Sequence, residues 1–310
     1  MEAQDSTLKP AVHEAAAPKP FLNDEERVGK VAVVTDSASN LPLDIIAEYG
    51  ISVIPIYLHW NGRTYRDGVD IKPEEVYRRL RDSQTTPQTA APSVGDFLQT
   101  YLKLAEEVEG IVSIHLPENL SGVITAARMA SELAIKEVDV RVVDAGTAAM
   151  GAGFVTLAAA RAAAQGADLE DVFGVAQEVA PKVTVVAMLD TLKYLHRSGR
   201  ISTVTALMGI ALKIKPIMYI KDHSIQVFAK PRTSSRGIRL MLAEMERQVG
   251  TDPTHVAVLH ADAPLEAIQL QKEVEMRVNC IEVFTCAFTP VMGAHTGPGL
   301  LGIAFYPERE

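Results

Sequence analysis

Short apolar runs alternate with helix-forming segments along most of the chain, and this alternation limits the possible folds more than any other feature. Three of the runs are "KVAVVTD", "GIVSIH" and "VRVVDA", which are nearly continuous in apolar residues. Strands that are buried on both faces have this composition, and parallel sheets covered by helices are built from such strands. The sequence therefore predicts an α/β fold.

The pattern changes after about residue 182. The segment "KIKPIMYIKDHSIQVFAK" predicts two strands around a tight polar turn, and such hairpins among crossovers indicate a mixed sheet. We therefore predict two domains, an N-terminal α/β domain with a parallel sheet (29–182) and a C-terminal α/β domain with a mixed sheet (183–310). Residues 1–28, rich in Ala, Pro and acidic residues, are predicted to be a disordered tail.

Local signals place several elements within this scheme. The segment "ISVIPIYLHW" predicts one strand, and the Asn61-Gly62 pair predicts a hairpin turn after it. A helix is expected over "LPLDIIAEYG" with Asn40 as its N-cap, and another begins near Pro73. Ser93 and Asp96 match a capping box at the start of a further helix.

Composition excludes several classes of partner. The chain has 310 residues, of which 47% are hydrophobic, so it can bury enough surface for two domains. Its formal net charge is −9 and it has no basic stripe, so we expect no nucleic-acid partner. No apolar stretch is long enough to cross a bilayer and no signal peptide is recognisable, so we expect no stable membrane insertion.

The two cysteines indicate a reducing environment. Cys280 and Cys286 lie in one predicted strand, "CIEVFTCAF". At about 3.3 Å per residue they are about 20 Å apart, whereas a disulfide needs Cα atoms within about 7 Å. We expect both thiols to be reduced and the protein to be cytoplasmic.

Two candidate site segments follow predicted strands. Asp36 and Ser37 end the first strand, and ligands gather at the carboxyl ends of strands in open α/β sheets. The same residues also suit a simple Asx or Ser turn. In "ENLSGVITAAR", Ser121 and Gly122 stand at the mouth of a helix. Ser121 either caps that helix or joins its free N–H groups in an anion site.

Three further side chains are candidates, each with a simpler explanation. Thr89 stands in a predicted loop of small residues, where its hydroxyl either points into a cleft or has no special role. His295 stands in the Gly/Pro-rich segment "VMGAHTGPGLLG" and can donate a hydrogen bond near neutral pH, although a lone His in a turn is usually on the surface. Arg200, in "KYLHRSGRIS", either has a functional role or only interacts favourably with the dipole at the C-terminal end of a helix.

Familiar catalytic motifs are missing. The chain has no G-x-S-x-G, H-E-x-x-H or C-x-x-C motif, and the glycines of "DAGTAAMGAGF" match neither nucleotide-binding loop. An enzyme with its own nucleophile is therefore difficult to build from these residues, and we predict no metal site and no nucleotide cofactor.

The segments taken together resemble the DegV family. The matching segments occur in the family's order from about Lys30 to Tyr306. They are "TDSASNLP", the stretch from Thr89 to Ser93, "HLPENLSG", "VVDAGTAAMGAG", "LDTLKYLHRSGRIS", "IKPI" and "GAHTGPGLLG". The resemblance implies a two-domain α/β protein that holds one long-chain fatty acid, such as palmitate, with the acyl chain in an apolar tunnel and the carboxylate between the domains. It also implies presentation of that carboxylate to a separate fatty-acid kinase, which makes the protein a carrier and not an enzyme.

The resemblance assigns roles to individual residues. Thr89 and Ser121 are similar to residues that hydrogen-bond the carboxylate, and His295 matches a histidine near the head group. Arg200 matches an arginine that faces the other domain or the kinase. Where the family has a Ser-Gln pair after the threonine, this chain has Ala90-Ala91, which bears on acyl-chain preference and kinase recognition.

Two alternatives stay open at this point. One is a hydrolase acting on a small phosphate or ester, with Asp36 or His295 as the base. The other is an interaction protein in which a bound lipid is only structural. We expect the protein to be a monomer.

Overall fold

The computed structural model describes residues 31–82, 85, 87–199 and 214–309. The predicted tail and Arg200 lie outside these residues. The strands within them are β1 (Val31–Asp36), β2 (Ser52–Ile54), β3 (Tyr57–Trp60), β4 (Arg63–Arg66), β5 (Gln88–Ala90), β6 (Gly110–His115), β7 (Asp139–Asp144), β8 (Thr184–Met188), β9 (Ile217–Lys221), β10 (Ser224–Ala229), β11 (Thr254–His260), β12 (Cys280–Ala287) and β13 (Leu301–Pro307). The helices are α1 (Leu43–Glu48), α2 (Pro73–Asp82), α3 (Val94–Leu104), α4 (Val123–Ala134), α5 (Met150–Ala164), α6 (Leu169–Val179), α7 (Lys193–Arg197), α8 (Ser234–Val249), α9 (Pro264–Glu275) and α10 (Pro290–Thr296).

The N-terminal half is built on a parallel sheet with the strand order β2-β1-β6-β7. Helices α3 and α4 pack together and against this sheet, and so do α5 and α6. Every residue of β6 is buried, as expected for an inner strand covered by helices. The parallel sheet predicted from the apolar runs is confirmed.

A small antiparallel sheet, with the order β4-β3-β5, extends the N-terminal half. The single strand predicted over "ISVIPIYLHW" is wrong, because the segment forms β2 and β3 in two different sheets. Pro55 lies between them and has no N–H to donate to a ladder. The predicted hairpin is confirmed, since β3 pairs with β4 across Asn61 and Gly62, whose φ angles are 50° and 76°.

The predicted cap of the first helix is also wrong. Asn40 ends a 3₁₀ turn, Ser37–Ser39, and adopts a left-handed conformation with φ of 57°. Helix α1 begins later, after Pro42. Asn tolerates the left-handed region better than most residues, and here that property outweighs its preference for an N-cap.

The C-terminal half is a six-stranded mixed sheet with the order β10-β9-β8-β13-β11-β12. Among the described strands of this sheet, β11 and β12 are the one parallel pair, and the other pairs are antiparallel. One face packs on α8 and α9 to form a separate apolar cluster. Residues of the other face join the core of the N-terminal half. The predicted mixed sheet is confirmed, whereas a domain boundary near residue 182 stays a prediction.

Helix α5 lies between the two halves and contacts both β1 and β13. It is buried on nearly all sides, which explains its content of Ala and Gly. Phe154 on this helix meets the ring of Tyr306 edge-on, with 5.4 Å between the ring centroids. The two halves therefore share one continuous core around α5.

Two further observations concern the environment of the chain. Within the described ranges, no helix combines the length and the apolar character needed to cross a membrane. Cys280 and Cys286 are both free thiols, as predicted from their spacing. A cytoplasmic location stays a prediction.

Candidate ligand-binding cavity

A cavity of about 230 Å³ lies between the two halves. Most of its wall is aliphatic, and four lining residues carry polar side chains: Thr89, Ser121, His295 and Thr296. No Lys, Arg, Asp or Glu is found among the described residues that line it. The cavity therefore combines an apolar wall with a few hydrogen-bonding groups that carry no permanent charge.

The mixed sheet supplies one wall of the cavity. Val185 on β8 is directly opposite Ile220 on β9, which is opposite Ile225 on β10. All three line the cavity, as does the neighbouring pair Ala187 and Met218. Adjacent strands thus present two rows of aliphatic side chains on one face, because directly paired residues point to the same side of a sheet.

Thr89 and His295 meet at the cavity although 206 residues separate them. Thr89 Oγ1 lies 3.0 Å from His295 Nε2, within hydrogen-bonding distance. The predicted loop at Thr89 is wrong, because the residue belongs to β5 and is paired with Leu58. The predicted turn at His295 is also wrong, because the residue belongs to α10, which begins with Pro290 and ends before Gly297.

Ser121 and Gly122 bring the start of α4 to the same cavity. Gly122, not Ser121, is the N-cap of α4, and no side chain caps this helix. Ser121 is therefore not the helix cap, and it lines the cavity instead. A Cβ added at Gly122 would have no atom within 4 Å, so the space beside it is open. The first N–H groups of any helix lack partners within the helix, and here they begin at the cavity wall.

Asp36 and Ser37 lie behind the wall instead of lining it. Asp36 Oδ1 accepts a hydrogen bond from the amide of Ala38 at 2.9 Å, and Ser37 Oγ accepts one from the amide of Ile56 at 3.1 Å. Ala38 and Ile56 both line the cavity. Asp36 and Ser37 thus hold the wall in place. The prediction that either residue contacts a ligand directly stays a prediction, and this geometry does not support it.

Asp36 also belongs to a buried hydrogen-bonded array that no sequence pattern singled out. Its Oδ2 lies 2.8 Å from His115 Nδ1, and His115 Nε2 lies 2.7 Å from Ser113 Oγ. The order of groups matches a Ser-His-Asp triad, but Tyr101 donates to Ser113 Oγ at 2.8 Å and none of these side chains lines the cavity. All four residues are at most 1% exposed, so a substrate cannot reach the serine.

Several residues that line the cavity were not selected as site residues from the sequence, although some of them follow a recognisable pattern. Val185, Ala187 and Leu189 recur at every second position of "TVVAML", which is the period of one strand face. Thr296 follows His295, and its hydroxyl donates to the carbonyl of Met292 at 3.0 Å. The predicted site residue Arg200 lies outside the described residues.

The fold and the cavity define a class of α/β protein in which a parallel-sheet half and a mixed-sheet half enclose a mostly apolar cavity with a small polar region. A family model described as "Uncharacterised protein, DegV family" matches residues 30–308. The chain belongs to the DegV family, and the predicted membership is confirmed.

Relatives and solved structures agree with this assignment. A DegV domain-containing protein of Streptomyces coelicolor is 36% identical over 275 residues, covering 88% of this chain and 97% of the relative. Among solved structures, a fatty-acid-binding DegV family protein of Thermus thermophilus has a TM-score of 0.84 and 28% identity, covering 90% of this chain and 100% of that one. DegV of Bacillus subtilis, described as a fatty acid binding protein, has a TM-score of 0.82 and 29% identity, covering 90% and 99%.

Proposed function

We propose that this protein binds one long-chain fatty acid, with palmitate as the reference ligand. The carboxylate lies against Thr89, Ser121 and His295, and the acyl chain lies along the aliphatic wall. The observation that carries the proposal is a cavity that combines these three side chains with rows of aliphatic residues, and whose described lining residues include no permanently charged group. Fatty-acid binding by related proteins of Thermus thermophilus and Bacillus subtilis supports it.

The polar region suits a carboxylate. A carboxylate that leaves water must accept hydrogen bonds, or its burial costs several kcal/mol. The hydroxyls of Thr89 and Ser121 and the imidazole of His295 are donors, and the start of α4 adds free N–H groups and a favourable dipole. Gly122 keeps side-chain volume away from this approach.

The acyl chain supplies most of the affinity. At about 0.8 kcal/mol per buried CH₂, the fourteen or so methylenes of palmitate contribute roughly 11 kcal/mol. Association and ordering of the chain offset a large part of this gain. Octanoate has about eight methylenes fewer and loses roughly 6 kcal/mol of the same contribution, so we expect it to bind far more weakly.

We propose further that the protein is a carrier that presents the bound carboxylate to a separate fatty-acid kinase. The family resemblance supports this step. Incubation of the palmitate-loaded protein with ATP and a fatty-acid kinase that acts on DegV proteins should yield palmitoyl phosphate. Formation of this product without the kinase would contradict a carrier role. We also propose a cytoplasmic monomer, which size-exclusion chromatography and cell fractionation test.

Delipidation followed by reloading with palmitate, read by native mass spectrometry, tests the head-group assignment. Ser121→Ala and the double variant Thr89→Val/His295→Ala should each lower the loaded fraction, because they remove donors to the carboxylate. Ser131→Ala is a matched control on the same helix, since its hydroxyl bonds to the carbonyl of Arg128 and does not line the cavity. Loading of the Ser121 and double variants equal to that of the control would show that the carboxylate lies elsewhere.

A further inference from the structure

The helix that carries His295 depends on contacts from the other half of the molecule. Helix α10 has seven residues and lies in the chain between β12 and β13 of the mixed sheet. A helix of this length is not stable by its own hydrogen bonds. Because Thr89 belongs to the N-terminal half, the 3.0 Å contact between Thr89 and His295 requires α10 to be fixed relative to that half.

Asp67 provides one of these contacts. It follows β4, and its backbone amide is bonded to the carbonyl of Ile56 at 2.9 Å. Its Oδ1 accepts a hydrogen bond from the amide of Val291, in the first turn of α10, at 3.0 Å. Asp67 is 2% exposed, so this acceptor is buried and satisfies an amide that the short helix leaves free.

Tyr77, on α2, provides a second contact. Its hydroxyl donates to the carbonyl of Phe288 at 3.2 Å, just before α10 begins. Its ring lies against Gly293, where an added Cβ would be 2.5 Å from the tyrosine oxygen and 2.6 Å from a ring carbon. Gly293 precedes His295 by two residues, so the tyrosine sets how closely this part of α10 approaches the N-terminal half.

Thr89 and Asp67 are carried by the same small sheet. Thr89 on β5 is paired with Leu58 on β3, and Tyr57 on β3 is paired with Arg66 at the end of β4. Asp67 is the next residue along the chain. The ladder therefore sets the distance between the threonine at the cavity and the carboxylate that holds α10.

We propose that Asp67 and Tyr77 are positioning residues that hold the α10 helix so that His295 stands in register with Thr89 for the ligand carboxylate. This role rests on the proposed function. Neither residue lines the cavity, so neither contacts the ligand directly, although the residues they bond, Val291 and Phe288, do line it. Their loss weakens binding of the acid head group more than it weakens the contacts of the acyl chain.

Binding of palmitate and of 1-hexadecanol, which has the same chain length without the carboxylate, separates these effects. Tyr77→Phe keeps the ring against Gly293 and removes only the bond to Phe288, and we expect palmitate affinity to fall by roughly threefold to tenfold with little change for hexadecanol. Tyr101→Phe is the matched control, because it removes one buried tyrosine hydrogen bond, to Ser113, away from α10. Asp67→Ala should act in the same direction as Tyr77→Phe, and Asp67→Asn, which retains an acceptor for Val291, should restore affinity to within about twofold.

Double-mutant cycles that combine each variant with His295→Ala test whether the effect on palmitate binding depends on His295. In that background, Tyr77→Phe and Asp67→Ala should cause a loss of palmitate affinity no larger than their small effect on hexadecanol. In the presence of His295, each of the two single variants should alter the side-chain ¹⁵N chemical shifts of this residue. Equal losses with and without His295, or equal losses for palmitate and hexadecanol, would overturn the positioning role while leaving fatty-acid binding intact. Unchanged palmitate binding by His295→Ala itself would instead overturn the head-group assignment, and the positioning role with it.

Discussion

Single side chains decide the electrostatics of the cavity. Thr89, Ser121 and His295 offer hydrogen bonds without a permanently charged group among the described lining residues. A buried charge without its partner is costly. Uncharged donors therefore destabilise the unliganded protein less than a permanently charged group would at the same place. The carboxylate of Asp67, which is also buried, instead accepts a hydrogen bond from the amide of Val291.

Asp67 leads to a prediction about pH. Burial raises the pKa of Asp67 from 3.8 to about 6, and repulsion from Asp36 adds to the rise, whereas the Ser37 hydroxyl, the Val291 amide and the Thr289 hydroxyl oppose it. Because the folded protein binds this proton more tightly than the unfolded chain, the contribution of Asp67 to stability grows as pH falls from about 7 to about 4. The full change is roughly 2 to 3 kcal/mol.

Urea unfolding of the wild type and of Asp67→Asn between pH 4 and pH 8 measures this contribution. The variant lacks the titrating group, so the wild type should gain stability relative to it as the pH is lowered. A stability difference that stays constant over this range would show that Asp67 does not have a raised pKa.

At the scale of elements, α5 decides how closely the two halves approach each other. It contacts β1 of the parallel sheet and β13 of the mixed sheet, and residues before its start, Ala148 and Ala149, line the cavity. Small residues also let this helix pack closely within the N-terminal half. An added Cβ at Gly153 would lie 2.7 Å from the carbonyl oxygen of Ser39, and backbone atoms cannot easily move aside.

We predict that Gly153→Ala destabilises the protein by about 1 to 3 kcal/mol, because overpacking outweighs the higher helix propensity of alanine. Gly174→Ala on α6 is the matched control, since an added Cβ there has no atom within 4 Å. That variant should stabilise the protein by up to about 1 kcal/mol. Thermal unfolding measures both, and an equal gain in stability for the two variants would contradict close packing at Gly153.

At the scale of the whole molecule, an ion-pair cluster joins the two halves near the C-terminal end of α5. Arg161 on α5 donates to both carboxylate oxygens of Glu282 on β12, at 2.9 and 2.6 Å. His255 Nδ1 lies 2.6 Å from the same carboxylate, and its Nε2 lies 3.0 Å from Glu308. The cluster therefore links a helix of the N-terminal half to two strands of the mixed sheet.

The cluster predicts loss of stability in acid. Burial alone would raise the pKa of Glu282, but hydrogen bonds from His255 and Arg161 outweigh it and lower the pKa from 4.5 to about 2. Since the folded-state pKa is the lower one, the contribution of Glu282 is complete above about pH 5 and is lost as pH falls towards 2. It amounts to roughly 2 to 3 kcal/mol.

Chemical unfolding of Glu282→Gln tests this prediction. The variant should be less stable than the wild type at pH 7, and the difference should shrink progressively between pH 5 and pH 3. Glu273→Gln is the control, because Glu273 forms an exposed pair with Arg277 within one helical turn and should matter little. Equal effects of the two substitutions at pH 7 would show that Glu282 does not hold the halves together.

Much of the fold was predictable from local patterns. The nearly continuous apolar runs indicated the buried parallel strands, Asn61-Gly62 indicated the β3–β4 hairpin, and Ser93 with Asp96 formed the expected capping box. These features depend on residues close together in the chain, where propensity and turn chemistry act directly. The order of the segments that resemble the family likewise sufficed to predict the family, which the match over residues 30–308 shows.

The sequence by itself therefore determined the class of fold, the hairpins and the family, while the tertiary structure decided which residues meet. The strand over "ISVIPIYLHW" divided between two sheets, Thr89 became part of β5, and His295 became part of α10. The contact of Thr89 with His295, and of Asp67 with Val291, joins residues more than 200 positions apart. Such contacts depend on how sheets and helices pack against one another, and no local pattern of residues specifies that packing.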